Sequence, residues 1–274
     1  MQKKKILLPL LLLAPAFLAH QAYADEQVAT EPSQEVAAVT SAQEGNVPDG
    51  AIDTSAQGKE SASGQQNDLL EANIIHTNDV HGRIVEEKGV IGDAKLAAVI
   101  EEERKNNPST LVVDAGDAFQ GLPISNSSKG EERAKLLNEM GYDAMAVGNH
   151  EFDFGLDEAK KYKEILNFPL LSSNTYVNGA RLFEASTIVD KDKNVVGDEF
   201  VVIGVTTPET ATKTHPKNVQ GVTFKDPISE VNSVIDEVEA RAAAEGKTYK
   251  NYVVLAHLGV DTTTPVEWRG STLA

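Results

Sequence analysis

"DAMAVGNHEFDFG", Asp143 to Gly155, is the stretch on which the reading of the fold turns. An unbroken apolar run passes directly into Asn149, His150, Glu151 and Asp153, with a glycine on each side of the cluster. A run without polar alternation reads as a strand covered on both faces. A cluster of that polarity at the end of a buried strand is costly unless something pairs with it.

Working outward, the same figure recurs. "ANIIHT" (72–77), "TLVVDAGD" (110–117), "FPLLSSN" (168–174), "DEFVVIGVTT" (198–207) and "YVVLAHLG" (252–259) read as further strands. Between them, "DAKLAAVIEEERKNN" (93–107) reads as a helix with Leu96, Val99 and Ile100 on one face. "EERAKLLNEMG" (131–141) reads as a helix stopped by Gly141, "LDEAKKYKEIL" (156–166) as another, and Asp226 to Gly246 contains a long one. Strands alternating with helices define an α/β class, with order expected from Leu69 to the last residue, 69–274.

Upstream the chain differs. Lys3, Lys4 and Lys5 precede an apolar run from Ile6 to Ala19 and the small-residue exit "AYA" ending at Ala24, which is the layout of a secretory signal peptide over 1–24. Pro9 and Pro15 interrupt the run, which is shorter than the roughly 20 residues that cross a bilayer, and no other segment could span one. Residues 25–68 are rich in Ala, Ser, Glu, Gln and Gly without apolar periodicity, and read as a disordered acidic spacer. The expected localisation is secreted or cell-surface. Loss of the three leader lysines with no acid moves the formal charge from −17 to −20, which argues against a nucleic-acid polymer as partner. The chain has no cysteine, so disulfides and thiolate metal sites are excluded.

The chemistry gathers at the C-terminal ends of the strands, the edge that lines the binding crevice of open α/β sheets. In order these ends carry Asp79 and His81, Asp114 and Asp117, Asn149, His150 and Asp153, Asn174, and His257. Taken singly, each also reads as an Asx turn, a cap or a satisfied core histidine. Together, and beside glycines that let backbone turn sharply, they read as a site for metal held by oxygen and imidazole, suited to Zn²⁺, Mn²⁺ or Fe more than to Ca²⁺. A carboxylate shared by two cations about 3.5–4 Å apart offsets their repulsion. Asp117, in a glycine-flanked turn after a buried strand, is the candidate bridge. Asp114, spaced to fall inside its strand, reads as structural, and Glu151 as a solvated or structural carboxylate.

"HTNDVHGR" (76–83), "GDAFQG" (116–121), "GNHEFDFG" (148–155) and "AHLG" (256–259) resemble successive blocks of the calcineurin-like metallophosphoesterases, and more narrowly the secreted bacterial 5′-nucleotidase and UDP-sugar hydrolase group. The resemblance runs from about Ala72 to Val260. It implies a β-sandwich of mixed sheets flanked by helices. It also implies two divalent ions, with Asp79 and His81 on the first, Asp117 as bridge, and Asn149 and His257 on the second. His150 and Asp153 would form a catalytic dyad, and Asn149 and His150 would meet the substrate. The family's further G-H-x-H block does not occur, so the resemblance implies a partial catalytic domain with one ligand fewer per metal, a bare sheet edge and no C-terminal substrate-binding domain. The expected activity is removal of the 5′-phosphate of extracellular nucleotides. The alternatives are a 2′,3′-cyclic-nucleotide phosphodiesterase/3′-nucleotidase and a non-catalytic metal- or nucleotide-binding surface protein.

Overall fold

The computed structural model describes residues 72–195 and 197–274, together with the backbone of two three-residue strands, β1 (Leu11–Leu13) and β2 (Ala37–Val39). The expected leader and spacer otherwise lie outside the described residues.

Strands β3 (Ile74–Thr77), β4 (Leu111–Asp114), β5 (Ala144–Ala146) and β6 (Leu170–Leu171) run parallel, and β2 joins β3 antiparallel, in the order β2-β3-β4-β5-β6. Three short strands, β7 (Thr175–Val177), β8 (Ala180–Arg181) and β11 (Val222–Phe224), form a small antiparallel sheet. The second large sheet has the order β1-β12-β10-β9, built on β9 (Ser186–Val189), β10 (Phe200–Thr206) and β12 (Asn251–His257); β10 and β12 are parallel and β9 is antiparallel.

The unbroken apolar runs follow from what lies on each side of these sheets. Ile74, Leu111, Val113, Ala144, Ala146 and Leu171 of the first sheet pack against Phe200, Val202, Val253 and Leu255 of the second. Their strand neighbours point the other way. Ile75, Val112 and Met145 meet Leu96, Ile100, Leu137 and Tyr162 from the helices α1 (Asp93–Asn106), α3 (Glu131–Met140) and α4 (Leu156–Ile165). Val201, Ile203, Val205, Val254 and Ala256 meet Val231, Val234 and Val238 of α6 (Pro227–Ala244). The result is a helix–sheet–sheet–helix sandwich, in which both residues of each alternating pair are buried. Each such aliphatic side chain removed from water contributes about 1.5–3 kcal/mol.

Short helices α2 (Pro123–Asn126), α5 (Thr210–Lys213) and α7 (Gly270–Leu273) complete the described part. One expectation changes. Val99 of α1 is 37% exposed, so the buried face is narrower than its spacing suggests. The edge of β12 away from β10 pairs in parallel with Leu11–Leu13, within the expected leader. Among the described residues, no helix is long and apolar enough to cross a membrane.

Candidate metal centre

The site lies where the parallel strands of both sheets end. Thr77 is in register with Asp114, and Thr206 with His257. Thr206 Oγ1 donates to the Val147 carbonyl at 2.8 Å and ties the two sheets together at this edge.

Beyond β3 and β4 the chain continues as two loops lying side by side. Asp79 N donates to Gly116 O, His81 N to Asp117 O and Gly82 N to Ala118 O, at 3.0, 3.0 and 3.1 Å. Along them Asp79, His81 and Asp117 have φ of 52°, 50° and 60°. Left-handed backbone at a non-glycine residue costs about 1–3 kcal/mol and persists only where the surroundings enforce it. Glu151 supplies that enforcement for Asp117. It is fully buried, and its carboxylate accepts from the amides of Asp117 (2.8 Å), Ala118 (2.9 Å) and Gly148 (2.7 Å). Of the two readings for Glu151, the solvated one therefore fails. Burial, and then the charge of Asp117, push its carboxyl up to about 7 against the pull of these amides.

Gly148 serves by its missing side chain, since a Cβ there would lie 2.1 Å from Asp117 Oδ1. Gly155, with φ 97°, supplies the turn itself.

The two buried histidines are oriented alike. His81 Nδ1 donates to Gln120 O at 2.9 Å and His257 Nδ1 to Ala115 O at 3.0 Å. A carbonyl only accepts, so Nδ1 carries the proton in both and Nε2 faces the cluster. His257 Nε2 is 3.0 Å from Asn149 Oδ1 and 3.2 Å from Asp117 Oδ2; His81 Nε2 is 3.7 Å from Asp79 Oδ1 and 4.0 Å from Asp117 Oδ2. Burial opposes charge on His257, but Asp117 outweighs it and pushes the imidazole up to about 10. Burial likewise opposes ionisation of Asp117, whose carboxyl is nevertheless held well below the usual range, chiefly by His257.

This donor set fits a divalent cation. The Asn149 and Asp117 oxygens accept only, and converge on one nitrogen, so they need a positive centre between them. A proton on His257 serves, and a metal ion would satisfy the same atoms while releasing that proton. Two triads have ligand atoms all within 4.8 Å of one another: Asp79, Asp117 and His257, and His81, Asp117 and His150. Asp117 is common to both.

At the rim, His150 Nδ1 is 2.7 Å from Asp153 Oδ2, the His150 amide donates to Asp117 Oδ1 at 2.8 Å, and the His81 and His150 rings stand edge to face with centroids 5.0 Å apart. The structure brings Asp79, His81, Asp117, Asn149, His150 and His257 around one open cleft of about 250 Å³. Asn174 does not join them. Its amide is used up on Thr206 N, Thr206 O and Lys225 O, linking β10 to the small sheet. Asp114 also lies outside the cleft, accepting from Thr77 Oγ1 and Gly116 N, with burial pushing its carboxyl up to about 7. Thr207, Glu209, Lys213, Asp261 and Thr264, unforeseen from sequence, also line the cleft.

Residues 72–271 match the family described as calcineurin-like phosphoesterase. The chain belongs to that family. Calcineurin-like phosphoesterases use divalent metals, in keeping with the donor set. Among similar proteins, a 5′-nucleotidase of Vibrio cholerae is 40% identical over 175 residues, covering 61% of this chain and 31% of the relative. Protein UshA of Yersinia enterocolitica is 33% identical over 195 residues, covering 68% and 34%. The crystal structure of a 5′-nucleotidase precursor from Thermus thermophilus superposes with a TM-score of 0.54 at 30% identity, over 66% of this chain and 36% of that one. The phosphoesterase chain thus spans about a third of the length of these curated relatives.

Proposed function

We propose that this cleft hydrolyses phosphate monoesters, and in particular the 5′-phosphate of nucleotides, with two divalent ions held by Asp79, His81, Asp117, Asn149 and His257. The observation that carries the reading is the convergence of these five residues on one cleft, with Asp117 Oδ2 between the Nε2 atoms of His81 (4.0 Å) and His257 (3.2 Å). The names of the relatives support nucleotides as the substrate class, and the leader-like start supports export.

Bound divalent ions of this kind neutralise phosphate charge and lower the pKa of water from 15.7 towards about 7. The chain's own residues do the rest. Asn149 holds a neutral oxygen at the centre of the site. His150, tied through Nδ1 to Asp153, keeps Nε2 as the ring nitrogen available to the cleft. There, protonated, it can donate to a phosphoryl oxygen or to the departing alkoxide. Lys213 adds a cation to the lining of the cleft, moderated by Glu209 Oε2 at 3.5 Å.

Phosphate release from AMP in the presence of Mn²⁺ or Zn²⁺, alongside metal analysis, tests the proposal. His150→Ala should lower turnover by at least about 10²-fold while metal content stays the same. Unchanged turnover would exclude the dyad. Release from a 2′,3′-cyclic nucleotide but not from AMP would redirect the substrate assignment.

A further inference from the structure

We infer that Thr214 is a positioning residue for the dyad, fixing the carboxylate of Asp153 so that His150 is held at one angle to the cleft. The inference rests on the dyad reading above and extends it to a residue with no motif of its own.

Asp153 stands at the exit of a single 3-10 turn, His150–Phe152, and its side chain is 21% exposed. A carboxylate there, held by one hydrogen bond, would rotate towards water and take the imidazole with it. It has two. Oδ2 accepts from His150 Nδ1 and Oδ1 accepts from Thr214 Oγ1, both at 2.7 Å. One bond on each oxygen defines the plane of the group. Thr214 is itself 4% exposed, with its amide bonded to Thr210 O at the end of α5. Its β-branched side chain has few rotamers to choose from. Four residues on, Asn218 Nδ2 donates to the Asp153 carbonyl at 2.8 Å. One short segment therefore grips Asp153 by side chain and by backbone, while its Lys213 lines the cleft.

The test compares Thr214→Val, which keeps the shape and removes the hydroxyl, with Thr214→Ser, which keeps the hydroxyl. In ¹H–¹⁵N spectra of the full chain, the His150 Nδ1 proton should be observable in the parent and in Thr214→Ser. In Thr214→Val it should be broadened or shifted upfield, with backbone amides away from residues 150–153 and 210–219 unchanged. On AMP, Thr214→Val should lose about tenfold in kcat at unaltered KM and metal content, the scale of one hydrogen bond to a charged group, and Thr214→Ser should recover most of it. An unshifted His150 signal in Thr214→Val, or equal loss in both variants, overturns the inference. A His150→Ala variant that retains turnover would instead overturn the dyad reading on which it rests.

Discussion

At His150 two opposed influences act on one proton. Burial favours the neutral ring, but the hydrogen bond to Asp153 and the charge of Asp117 outweigh it, so the imidazole titrates above its ordinary value. The protonated form therefore persists to higher pH than in a free histidine. Any stability it confers is complete below the unfolded value of about 6.5 and is lost as pH rises through the folded one. Cations at the centre would offset the part due to Asp117 and leave that due to Asp153. Asp153→Asn should accordingly move the alkaline limb of the kcat profile to lower pH, by about one unit, the worth of about 1.4 kcal/mol. A limb that stays in place would mean that another group sets it.

Among the elements, α6 shows how local chemistry sets a boundary. Asp226 accepts from Ser229 N at 2.8 Å, and Pro227 occupies the first helical position, where no N–H is needed. The buried stripe of Val231, Val234 and Val238 then covers β10 and β12. Asp226→Ala should cost about 1 kcal/mol in urea-induced unfolding, with the slope unchanged. The strands behave differently. β5 contains three residues between β4 and β6, and β6 contains two at the edge beside β5; both are too short to be stable alone, and exist because neighbouring strands complete their hydrogen bonds.

For the molecule as a whole, the charged cluster is a burden until a cation offsets it. Asp79 and Asp117 stand close together, and Asp117 is 2% exposed. A cation that binds the folded site alone, at a hundredfold excess over its Kd, stabilises by about 2.7 kcal/mol. Adding Mn²⁺ or Zn²⁺ should therefore raise Tm by roughly 5–10 °C for a folded body of this size. EDTA should reverse the rise, and Asp117→Ala should abolish it. A Tm indifferent to metal in the parent chain would remove the metal centre from the account.

By itself the sequence determined the order of the six apolar strands and the four longer helices, the burial of those strands on both faces, and the polar residues at their ends, but not the short strands β7, β8, β9 and β11. It could do so because apolar periodicity, caps and glycine stops are local properties. Gly141 ends α3 with φ 74°, as its position suggests. Which strand-end residues meet was decided only by tertiary structure. Asp79 and His257 are 178 positions apart and share a ligand triad through sheet register and the packing of one sheet on the other. The same packing turned Asn174 to joining strands, buried Glu151 against three amides, and brought Thr214 to Asp153 across 61 positions. A side chain's role at a shared edge depends on where its strand stops relative to its neighbours, and that register is a property of the assembled sandwich.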